Sequence, residues 1–163
     1  MKKTLDFIMD GAAVSRYHTV DLLKAETVGH HSHGVAMLCL LIDPNASRDL
    51  LVAALLHDLP EQGVGDIPSP VKRKLQMKEE LERLEAELLA EVGLEHPELT
   101  EEEHVVLKLA DVFHGALKCA REVNMGNSSI RVVFDRYVEY AGELPFPTPH
   151  TEEIYSVIKE MVK

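Results

Sequence analysis

The amino-acid sequence predicts an all-α fold, a single compact bundle of about six or seven helices. Aromatic residues make up only 5% of the chain and Trp is absent. Leu, Ala, Val, Glu and Lys are frequent instead, and this composition favours helix over sheet. Apolar residues also recur at helical spacing through most of the chain. Because the chain has only 163 residues, we expect residues 1–163 to form one domain around one core.

The N-terminal part of the chain predicts three helices separated by turn-forming segments. Residues 4–13 form a short amphipathic stretch, and residues 14–29 lack a steady period, which predicts an irregular segment that could line a site. The helical pattern resumes at residues 31–42 and stops at an Asp-Pro-Asn turn. A third helix is predicted from residue 47 or 48 to residue 59.

The middle of the chain predicts a loop followed by a long helix. Two Gly and two Pro residues lie in the segment QGVGDIPSP, residues 62–70, and these residue types end helices and favour tight turns. Residues 71–92 are rich in Glu and Lys, with Leu at helical spacing, which predicts one long helix with a single apolar face. That face could pack against a second subunit, and we expect a homo-oligomer.

The C-terminal part of the chain predicts three more helices. Thr100 and Glu103 have the spacing of a capping box, which predicts a helix that runs to about residue 122 or 125 and ends at Gly126. Another helix is predicted over residues 129–140. After three closely spaced prolines, Thr151 is predicted to cap a last helix.

Charge and hydropathy limit the partners and the compartment. The formal net charge of -11 opposes binding to a nucleic acid polymer or an anionic membrane, which need excess Lys and Arg. A small phosphorylated substrate stays compatible, because a metal ion and a few basic groups can bind it. Asp6 and Asp10 interrupt the apolar region of a signal peptide, and the apolar run at residues 35–42 is too short to span a bilayer. Cys39 and Cys119 form no Cys-x-x-Cys pair, and we expect a cytoplasmic protein.

A group of polar residues at the end of the third predicted helix points to chemistry. His57 and Asp58 are adjacent there, and Glu61 follows. On a helix the three side chains could face one cavity and share a metal ion and a water molecule. The alternative is a helix end whose His and Asp cap the helix or face solvent. Pro60 lacks a backbone donor and is expected to kink the helix at this point.

Two further positions have the residue types of a metal site. Three histidines, at positions 30, 31 and 33, lie at the start of the second predicted helix. Such density is typical of metal sites, although solvated histidines are also common near helix starts. Asp111 is an acid within an apolar helical stretch, and a buried carboxylate must be paired, hydrogen-bonded or bound to metal. Its alternative role is an ion pair with Lys108 or Lys118.

The order of these residues resembles the HD phosphohydrolase superfamily. That order is His31, then His57-Asp58, then Asp111. The run HDLPE followed by GDIPSPVK (residues 65–72) is similar to the bacterial 5'-deoxynucleotidase branch, whose Arg-aromatic pair the RY dipeptide at positions 16 and 17 resembles. The segments RYHTV and ETVGHHSHGVAM look closer still to phage HD proteins such as dATP triphosphohydrolases. The resemblance extends over residues 16–118.

The resemblance implies an HD-type bundle with one divalent cation. His31, His57, Asp58 and Asp111 would bind the cation, and Glu61 would polarise the attacking water. Two imidazoles and two carboxylates suit Mn, Co or Zn better than Mg, which prefers oxygen ligands. One such transition metal is therefore expected, with additional Mg if the substrate is a triphosphate.

The resemblance also implies contacts with the substrate. Asp66 would be a second catalytic position near the sugar, where its carboxylate could accept a hydrogen bond from a 3'-hydroxyl. An ordinary turn acid is the alternative. Arg16 and Lys72 would contact phosphate, although Lys72 could equally be a solvated surface charge.

The remaining candidate substrate contacts have less specific roles. Tyr17 could stack on a base and Thr19 could touch a base edge, but packing would explain either residue. His33 could contact phosphate as a cation below neutral pH. Lys118 is a further cationic candidate.

The predicted reaction is hydrolysis of the 5'-phosphate ester of a deoxynucleotide, with release of the nucleoside. The resemblance to phage proteins favours dATP, cleaved to deoxyadenosine and triphosphate. The first alternative is a 5'-deoxynucleotidase acting on monophosphates, which the scarcity of cationic groups favours. The second is a metal-binding regulatory protein that has lost catalysis, against which the intact ligand set argues. If the chain is phage-encoded, its compartment is the host cytoplasm.

Overall fold

The computed structural model describes residues 1–162, and in that range nine α-helices and one 3₁₀ turn occur without a β-strand. The helices are α1 (Lys2–Ala13), α2 (Val28–Ile42), α3 (Arg48–Leu56), α4 (Glu61–Val64), α5 (Ser69–Lys74), α6 (Lys78–Glu91), α7 (Glu101–Asn124), α8 (Arg131–Glu143) and α9 (Pro149–Glu160), and the 3₁₀ turn is Ser128–Ile130. The predicted all-α class is confirmed, and α4 and α5 are short additions to the expected count. Within the described part of the chain, no helix is both long enough and apolar enough to cross a membrane.

The longest helix, α7, lies at the centre of the bundle and packs against α2, α3, α8 and α9. Its capping box forms as predicted: Thr100 Oγ1 accepts the Glu103 N–H at 3.2 Å, and the Thr100 N–H donates to Glu103 Oε2 at 2.8 Å. The helix ends before Gly126, whose φ of 105° lies in the left-handed region that glycine adopts without strain. Local sequence signals thus define both ends of the central helix.

The second helix, α2, begins three residues before its predicted start. Thr27 caps it, because the Thr27 side chain accepts the N–H of His30 at 3.4 Å. Val35 and Ile42 lie on its buried face, in the main core formed with α3, α7, α8 and α9. His31 lies on the same buried face and is 0% exposed, so helix packing directs its imidazole into the interior.

The third helix, α3, ends earlier than predicted. It stops at Leu56 rather than at residue 59, and α4 begins at Glu61. Pro60 explains the interruption, because it has no N–H to continue the hydrogen-bond ladder and its ring disfavours helical backbone in the preceding residue. The predicted break between the His-Asp pair and Glu61 is therefore present in the structure.

The segment after Glu61 also differs from its prediction. Residues 62–70, predicted as a loop, contain most of α4 and the start of α5. The single long helix predicted over residues 71–92 is wrong, because α5 and α6 are separate helices. Between them Gln76 adopts a φ of 53°, and a left-handed residue cannot continue a right-handed helix.

The last helix, α9, is capped by a different residue from the one predicted. Thr148, not Thr151, is the N-cap, and its Oγ1 lies 3.3 Å from the Thr151 N–H that it accepts. The same hydroxyl lies 3.1 Å from the carbonyl oxygen of Ile42. Pro149 occupies the first helical position, which its fixed φ suits. The start of α9 is thereby attached to the end of α2.

A small apolar cluster fixes the turn that follows α3. Leu59 packs there with Phe7 of α1 and with Leu89 and Val92 near the end of α6. The approach of α1 is so close that a Cβ atom at Gly11 would lie 2.6 Å from Leu59 Cδ1. The turn that follows the His-Asp pair is therefore anchored independently of the main core.

Candidate metal centre

The four residues predicted as ligands converge where α2, the end of α3 and the middle of α7 meet. His31 Nε2 lies 3.2 Å from His57 Nε2, 3.5 Å from Asp58 Oδ2 and 3.2 Å from Asp111 Oδ1. His57 Nε2 lies 3.4 Å from the same oxygen of Asp58. Residues that are 80 positions apart in the sequence thus form one cluster of nitrogen and oxygen atoms.

The chemistry of this cluster fits a divalent cation. The Nε2 atoms of His31 and His57 face each other at 3.2 Å, and two lone pairs at that distance need a proton or a cation between them. Two carboxylates border the same space, which favours positive charge there. His31, His57 and Asp58 form a group whose donor atoms could hold one ion, and Asp111 adjoins this group through its contact with His31. Mixed nitrogen and oxygen donors are typical of transition-metal sites.

The end of α3 orients the His57 ring. His57 Nδ1 lies 2.8 Å from the carbonyl oxygen of Ala54, in the last turn of that helix. A carbonyl only accepts hydrogen bonds, so Nδ1 carries the proton and the lone pair of Nε2 points to the cluster. Such a hydrogen bond from the outer ring nitrogen is typical of metal-binding histidines.

Asp111 contacts two partners at once. Its Oδ1 lies 3.2 Å from His31 Nε2, and its Oδ2 accepts a hydrogen bond from Lys108 Nζ at 3.0 Å. Burial would raise the pKa of the Asp111 carboxyl, but the charge of Lys108 and the contact with His31 hold that pKa well below its usual value. The ion pair with Lys108 that the sequence offered as an alternative therefore exists beside the predicted ligand contact.

Arg16 connects the cluster to a second buried carboxylate. Its guanidinium hydrogen-bonds Asp58 Oδ2, and its Nε lies 3.4 Å from Glu26 Oε2. The side chains of Arg16 and Glu26 are only 10% and 7% exposed. Burial raises the pKa of Glu26 despite the opposing charge of Arg16. The guanidinium predicted as a phosphate contact is thus engaged by two carboxylates.

Glu61 is the first residue of α4 and is 4% exposed. Its Oε2 has no hydrogen-bond partner among the described residues, and its Oε1 lies 4.0 Å from Lys72 Nζ. Burial, together with the negative charges of Asp58 and Asp66, raises the pKa of Glu61 to about 9. A buried carboxyl with a free oxygen can hold or accept a proton, which is typical of a functional acid.

Asp66 is tied to the segment that precedes α2. Its Oδ2 accepts the N–H of Tyr17 at 2.8 Å and lies 3.9 Å from Nδ1 of His18. Tyr17 has a φ of 57°, a left-handed conformation that is uncommon for residues other than glycine. The Tyr17 hydroxyl lies 3.1 Å from the hydroxyl of Tyr137. Tyr17 is therefore fixed at its backbone and at its ring.

Two of the predicted substrate contacts are exposed and have no described contact with the cluster. They are Thr19 and His33. His33 follows His31 by two residues, so it lies about 200° around the helix axis from the buried histidine. His30 is exposed as well. Of the three neighbouring histidines, only His31 belongs to the cluster.

Lys118 has a different environment from the one predicted. It is 9% exposed, its Nζ lies 2.8 Å from Glu122 Oε1, and it also donates to the carbonyl oxygen of Lys24. Lys118 follows Asp111 by seven residues, about 10 Å along the axis of α7. Its ammonium group therefore attaches the loop before α2 to α7, and its charge is already balanced by a buried carboxylate.

Two residues beside the cluster were not identified from the sequence, Glu26 and His114. His114 Nδ1 lies 2.9 Å from His31 Nδ1, and the two rings meet edge to face with centroids 4.9 Å apart. Burial lowers the pKa of His114 to about 4. The spacing of His114 from Asp111, three residues along one helix, is a signal that could have identified it. Glu26 lies in an irregular segment and has no such signal.

Comparisons with known proteins identify the family of this chain. A family model described as an HD domain matches residues 13–114, more than half of the chain. The chain belongs to the HD-domain family. A 5'-deoxynucleotidase of Photorhabdus temperata is 30% identical to this HD-domain protein over 144 residues, 73% of each chain. A 5'-deoxynucleotidase of Enterobacter sp. (strain 638) is 28% identical over 149 residues, 76% of this chain and 74% of that protein.

Solved structures share the fold of the HD-domain protein. A protein of Pyrococcus horikoshii OT3 has a TM-score of 0.76 at 20% identity and covers 99% of each chain. The cyanophage S-2L HD phosphohydrolase bound to dA and one catalytic Zn²⁺ ion has a TM-score of 0.70 at 20% identity over 94% of this chain and 93% of that chain. The family resemblance stated from the sequence is confirmed. This HD-domain protein is a metal-dependent hydrolase of the phosphohydrolase class.

Proposed function

We propose that this HD-domain protein hydrolyses the 5'-phosphate ester of deoxynucleoside monophosphates and releases the nucleoside and phosphate. The observation that carries the proposal is the buried Glu61 carboxyl, with one unpartnered oxygen, three residues after a member of the His-Asp cluster. A proton-accepting group next to metal ligands suits attack of water on a phosphate ester. The similarity to bacterial 5'-deoxynucleotidases supports this choice of substrate.

The cation is assigned to His31, His57, Asp58 and Asp111. Their mixed nitrogen and oxygen donors favour Mn, Co or Zn over Mg. A divalent cation bound there supplies positive charge that acidifies water and stabilises the phosphoryl oxygens. Arg16 keeps the Asp58 carboxylate in position through its hydrogen bond, so the guanidinium supports the cation site and offers its remaining donors to the phosphate.

The protein side chains supply the other steps. With a pKa of about 9 the Glu61 carboxyl is protonated near neutral pH in the metal-free protein, so it would accept a proton at Oε2 from the attacking water once the positive charges of Lys72 and of a bound cation favour its ionised form. Lys72, whose Nζ lies 4.0 Å from Glu61 Oε1, binds a phosphate oxygen, and its charge favours the ionised form of Glu61. Asp66 is held beside Tyr17 by the backbone hydrogen bond and accepts a hydrogen bond from the 3'-hydroxyl of the sugar. Tyr17, which packs against the main core, is the residue assigned to contact the base.

The second candidate substrate is dATP, cleaved to deoxyadenosine and triphosphate. The sequence segments that resemble phage HD proteins favour it. A triphosphate carries more negative charge than a monophosphate and needs more cationic partners. Arg16 and Lys118 are both paired with buried carboxylates, whereas Lys72 has its nearest carboxylate at 4.0 Å. This charge balance favours the monophosphate over dATP.

We also propose that residues 1–163 form one domain and that the protein is a homo-oligomer. Large apolar side chains are exposed on α1 and α2, among them Met9 at 71%, Met37 at 53% and Leu41 at 53%. The long helix from which the sequence predicted an interface is divided into α5 and α6, so these faces are the better candidates. Light scattering on the purified protein measures the subunit number.

The proposed reaction is tested with metal-stripped protein to which Mn, Co, Zn or Mg is restored singly. Each metal form is incubated with deoxynucleoside monophosphates, ribonucleoside monophosphates and deoxynucleoside triphosphates, and nucleoside, phosphate and triphosphate are measured. We expect phosphate and nucleoside from the deoxynucleoside monophosphates. Glu61→Gln should lower kcat by about 10²–10⁴-fold with unchanged metal content, and Gln62→Ala, at its exposed neighbour, should retain wild-type rates.

Other outcomes separate the alternatives. Deoxyadenosine with intact triphosphate, and no product from monophosphates, would identify the dATP reaction. If no metal supports release from any nucleotide, and wild type and Glu61→Gln behave alike, the catalytic proposal fails. Metal binding without turnover would then support a regulatory role.

A further inference from the structure

His31 and His57 are oriented by different kinds of partner. His57 Nδ1 lies 2.8 Å from the carbonyl oxygen of Ala54, a backbone group that side-chain substitution does not remove. His31 Nδ1 lies 2.9 Å from Nδ1 of His114, which is a side chain. His31 is 0% exposed, so water has no access to replace this partner. The orientation of one proposed ligand therefore depends on a residue outside the ligand set.

The contact between the two Nδ1 atoms determines where the protons lie when a cation is present. If the lone pair of His31 Nε2 faces the cation, the neutral His31 ring carries its proton on Nδ1. That N–H needs an acceptor, and the atom at 2.9 Å is His114 Nδ1. The proton of the neutral His114 ring is then on its Nε2. An acceptor of this kind fixes the tautomer and the ring orientation of a metal-binding histidine.

Helix α2 leaves space for the His114 ring where it packs against α7. An ideal Cβ atom at Gly34 would lie 2.1 Å from both Cδ2 and Nε2 of His114, so the ring occupies space that only glycine leaves open. Gly34 follows His31 by three residues, and the two therefore share a face of α2. The His114 ring is thus positioned against α2 by a close contact and by a hydrogen bond.

A second cation held by Glu26, His31 and His114 explains these contacts less well. Their donor atoms are close enough to form such a group. However, His31 Nδ1 and His114 Nδ1 lie 2.9 Å apart, a distance at which one neutral ring can donate its proton to the other. The guanidinium of Arg16 also lies 3.4 Å from Glu26, and its charge opposes a neighbouring cation.

We infer that His114 is a positioning residue for the metal centre, because its Nδ1 accepts the Nδ1–H of His31 and so directs His31 Nε2 toward the cation. The inference rests on the proposed assignment of His31 as a ligand. It places His114 outside the catalytic residues, since it acts through His31. It also gives Gly34 a defined role, which is to admit the His114 ring.

Zn²⁺ affinity, measured by competition with a chelator and without nucleotide, tests this role. His114→Phe keeps a ring of similar size and removes the acceptor, and it should weaken Zn²⁺ binding by about 10–100-fold. His114→Asn retains an acceptor near the position of Nδ1 and should restore most of the affinity. Gly34→Ala leaves His114 unchanged but displaces its ring, and it should weaken binding in the same range as His114→Phe.

A spectroscopic measurement and a control separate hydrogen bonding from folding. In the Zn²⁺-loaded wild type, ¹⁵N NMR should show a coupling between His31 Nδ1 and His114 Nδ1 across the shared proton, and this coupling should be absent in Gly34→Ala. His104→Asn alters an exposed histidine in the first turn of the same helix and should bind Zn²⁺ like the wild type. Helical circular dichroism verifies that each variant is folded.

The outcomes distinguish this inference from the proposed function. If wild type and a folded His114→Phe bind Zn²⁺ equally, the inference is wrong and the metal assignment stands. If His114→Asn binds as weakly as His114→Phe, ring packing and not the acceptor explains the loss, and the inference is also wrong. If the wild type binds no divalent metal, both the assignment of His31 and the role of His114 fail.

Discussion

Arg16 lies between a proposed metal ligand, Asp58, and a second carboxylate, Glu26, and all three side chains are less than 20% exposed. Removal of the guanidinium leaves Glu26 buried without its partner. A buried charge that loses its partner costs about 3–5 kcal/mol. We therefore expect Arg16→Gln to lower the free energy of unfolding by an amount in that range, measured by urea denaturation.

Two further variants test the reason for this loss. Arg16→Gln combined with Glu26→Gln removes both charges and should be less destabilised than the sum of the single variants. Arg131→Gln breaks an exposed pair with Asp135 and should change the free energy of unfolding by about 0–1 kcal/mol. An Arg16→Gln loss as small as that of Arg131→Gln would contradict a structural role for Arg16.

Single residues differ in how well the sequence predicts their environment. Asp111 could be predicted as a site residue, because an acid in an apolar helical stretch needs a partner. His114 was missed, because its contact with His31 depends on how α2 and α7 are rotated against each other. Lys118 was assigned to the substrate, whereas the structure pairs it with Glu122 and with a carbonyl group 94 positions away. The contact with that distant carbonyl group has no local signal in the sequence.

At the level of helices, Ser47 connects the starts of α3 and α7. Its Oγ accepts the N–H of Leu50 at 2.9 Å and donates to Glu103 Oε1 at 2.5 Å. Glu103 also completes the capping box of α7. The two N-termini therefore share one hydrogen-bonded group, and the start of α3 is fixed relative to the central helix.

Loss of the Ser47 hydroxyl should weaken both helix starts. Substitution of an N-cap by Ala typically costs about 0.5–2 kcal/mol, and we expect Ser47→Ala to lower the free energy of unfolding by an amount in the upper half of that range. The matched control is Ser156→Ala, at an exposed position within α9, which should be neutral or slightly stabilising because Ala favours helix. Equal effects of the two substitutions would contradict the shared cap.

The helices also differ in how far local signals determine them. The start and end of α7 were predicted to within two residues, because a capping box and a left-handed Gly126 are encoded nearby. The break between α5 and α6 was missed, because Gln76 adopts a positive φ without being Gly, Asn or Asp. Leu81 and Leu89 of α6 are buried, but no local turn motif marks the break.

At the scale of the whole molecule, Glu122 attaches the irregular segment before α2 to the central helix. It accepts hydrogen bonds from the backbone N–H groups of Leu23 and Lys24 and from the side chains of Lys118 and Asn127. Burial alone would raise the pKa of Glu122, but these hydrogen bonds outweigh burial and lower it to about 2. The carboxylate form therefore stabilises the folded state.

This depressed pKa predicts a pH dependence of stability. In the unfolded chain the Glu122 pKa is near the ordinary value of 4.5. The Glu122 carboxylate therefore stabilises the folded state fully above that pH, and this stabilisation is lost as the pH falls toward 2. Glu122→Gln should be less stable than the wild type at pH 7 and should lose less stability between pH 4.5 and 2. Urea denaturation over this pH range measures how the free energy of unfolding of each protein changes with pH. Parallel pH profiles for the wild type and Glu122→Gln would contradict the prediction.

The proposed cation would connect three parts of the bundle, because its ligands come from α2, the end of α3 and α7. A ligand that binds only the folded state stabilises it by about 4 kcal/mol at a concentration 1,000 times its Kd. Chelation should therefore lower the Tm of the wild type, and restored Mn, Co or Zn should raise it again. Asp111→Asn should abolish this response, whereas Asp135→Asn, at an exposed acid on α8, should retain it. A wild-type Tm that does not change with metal would show that protons, Lys108 and Arg16 hold the cluster together without a cation.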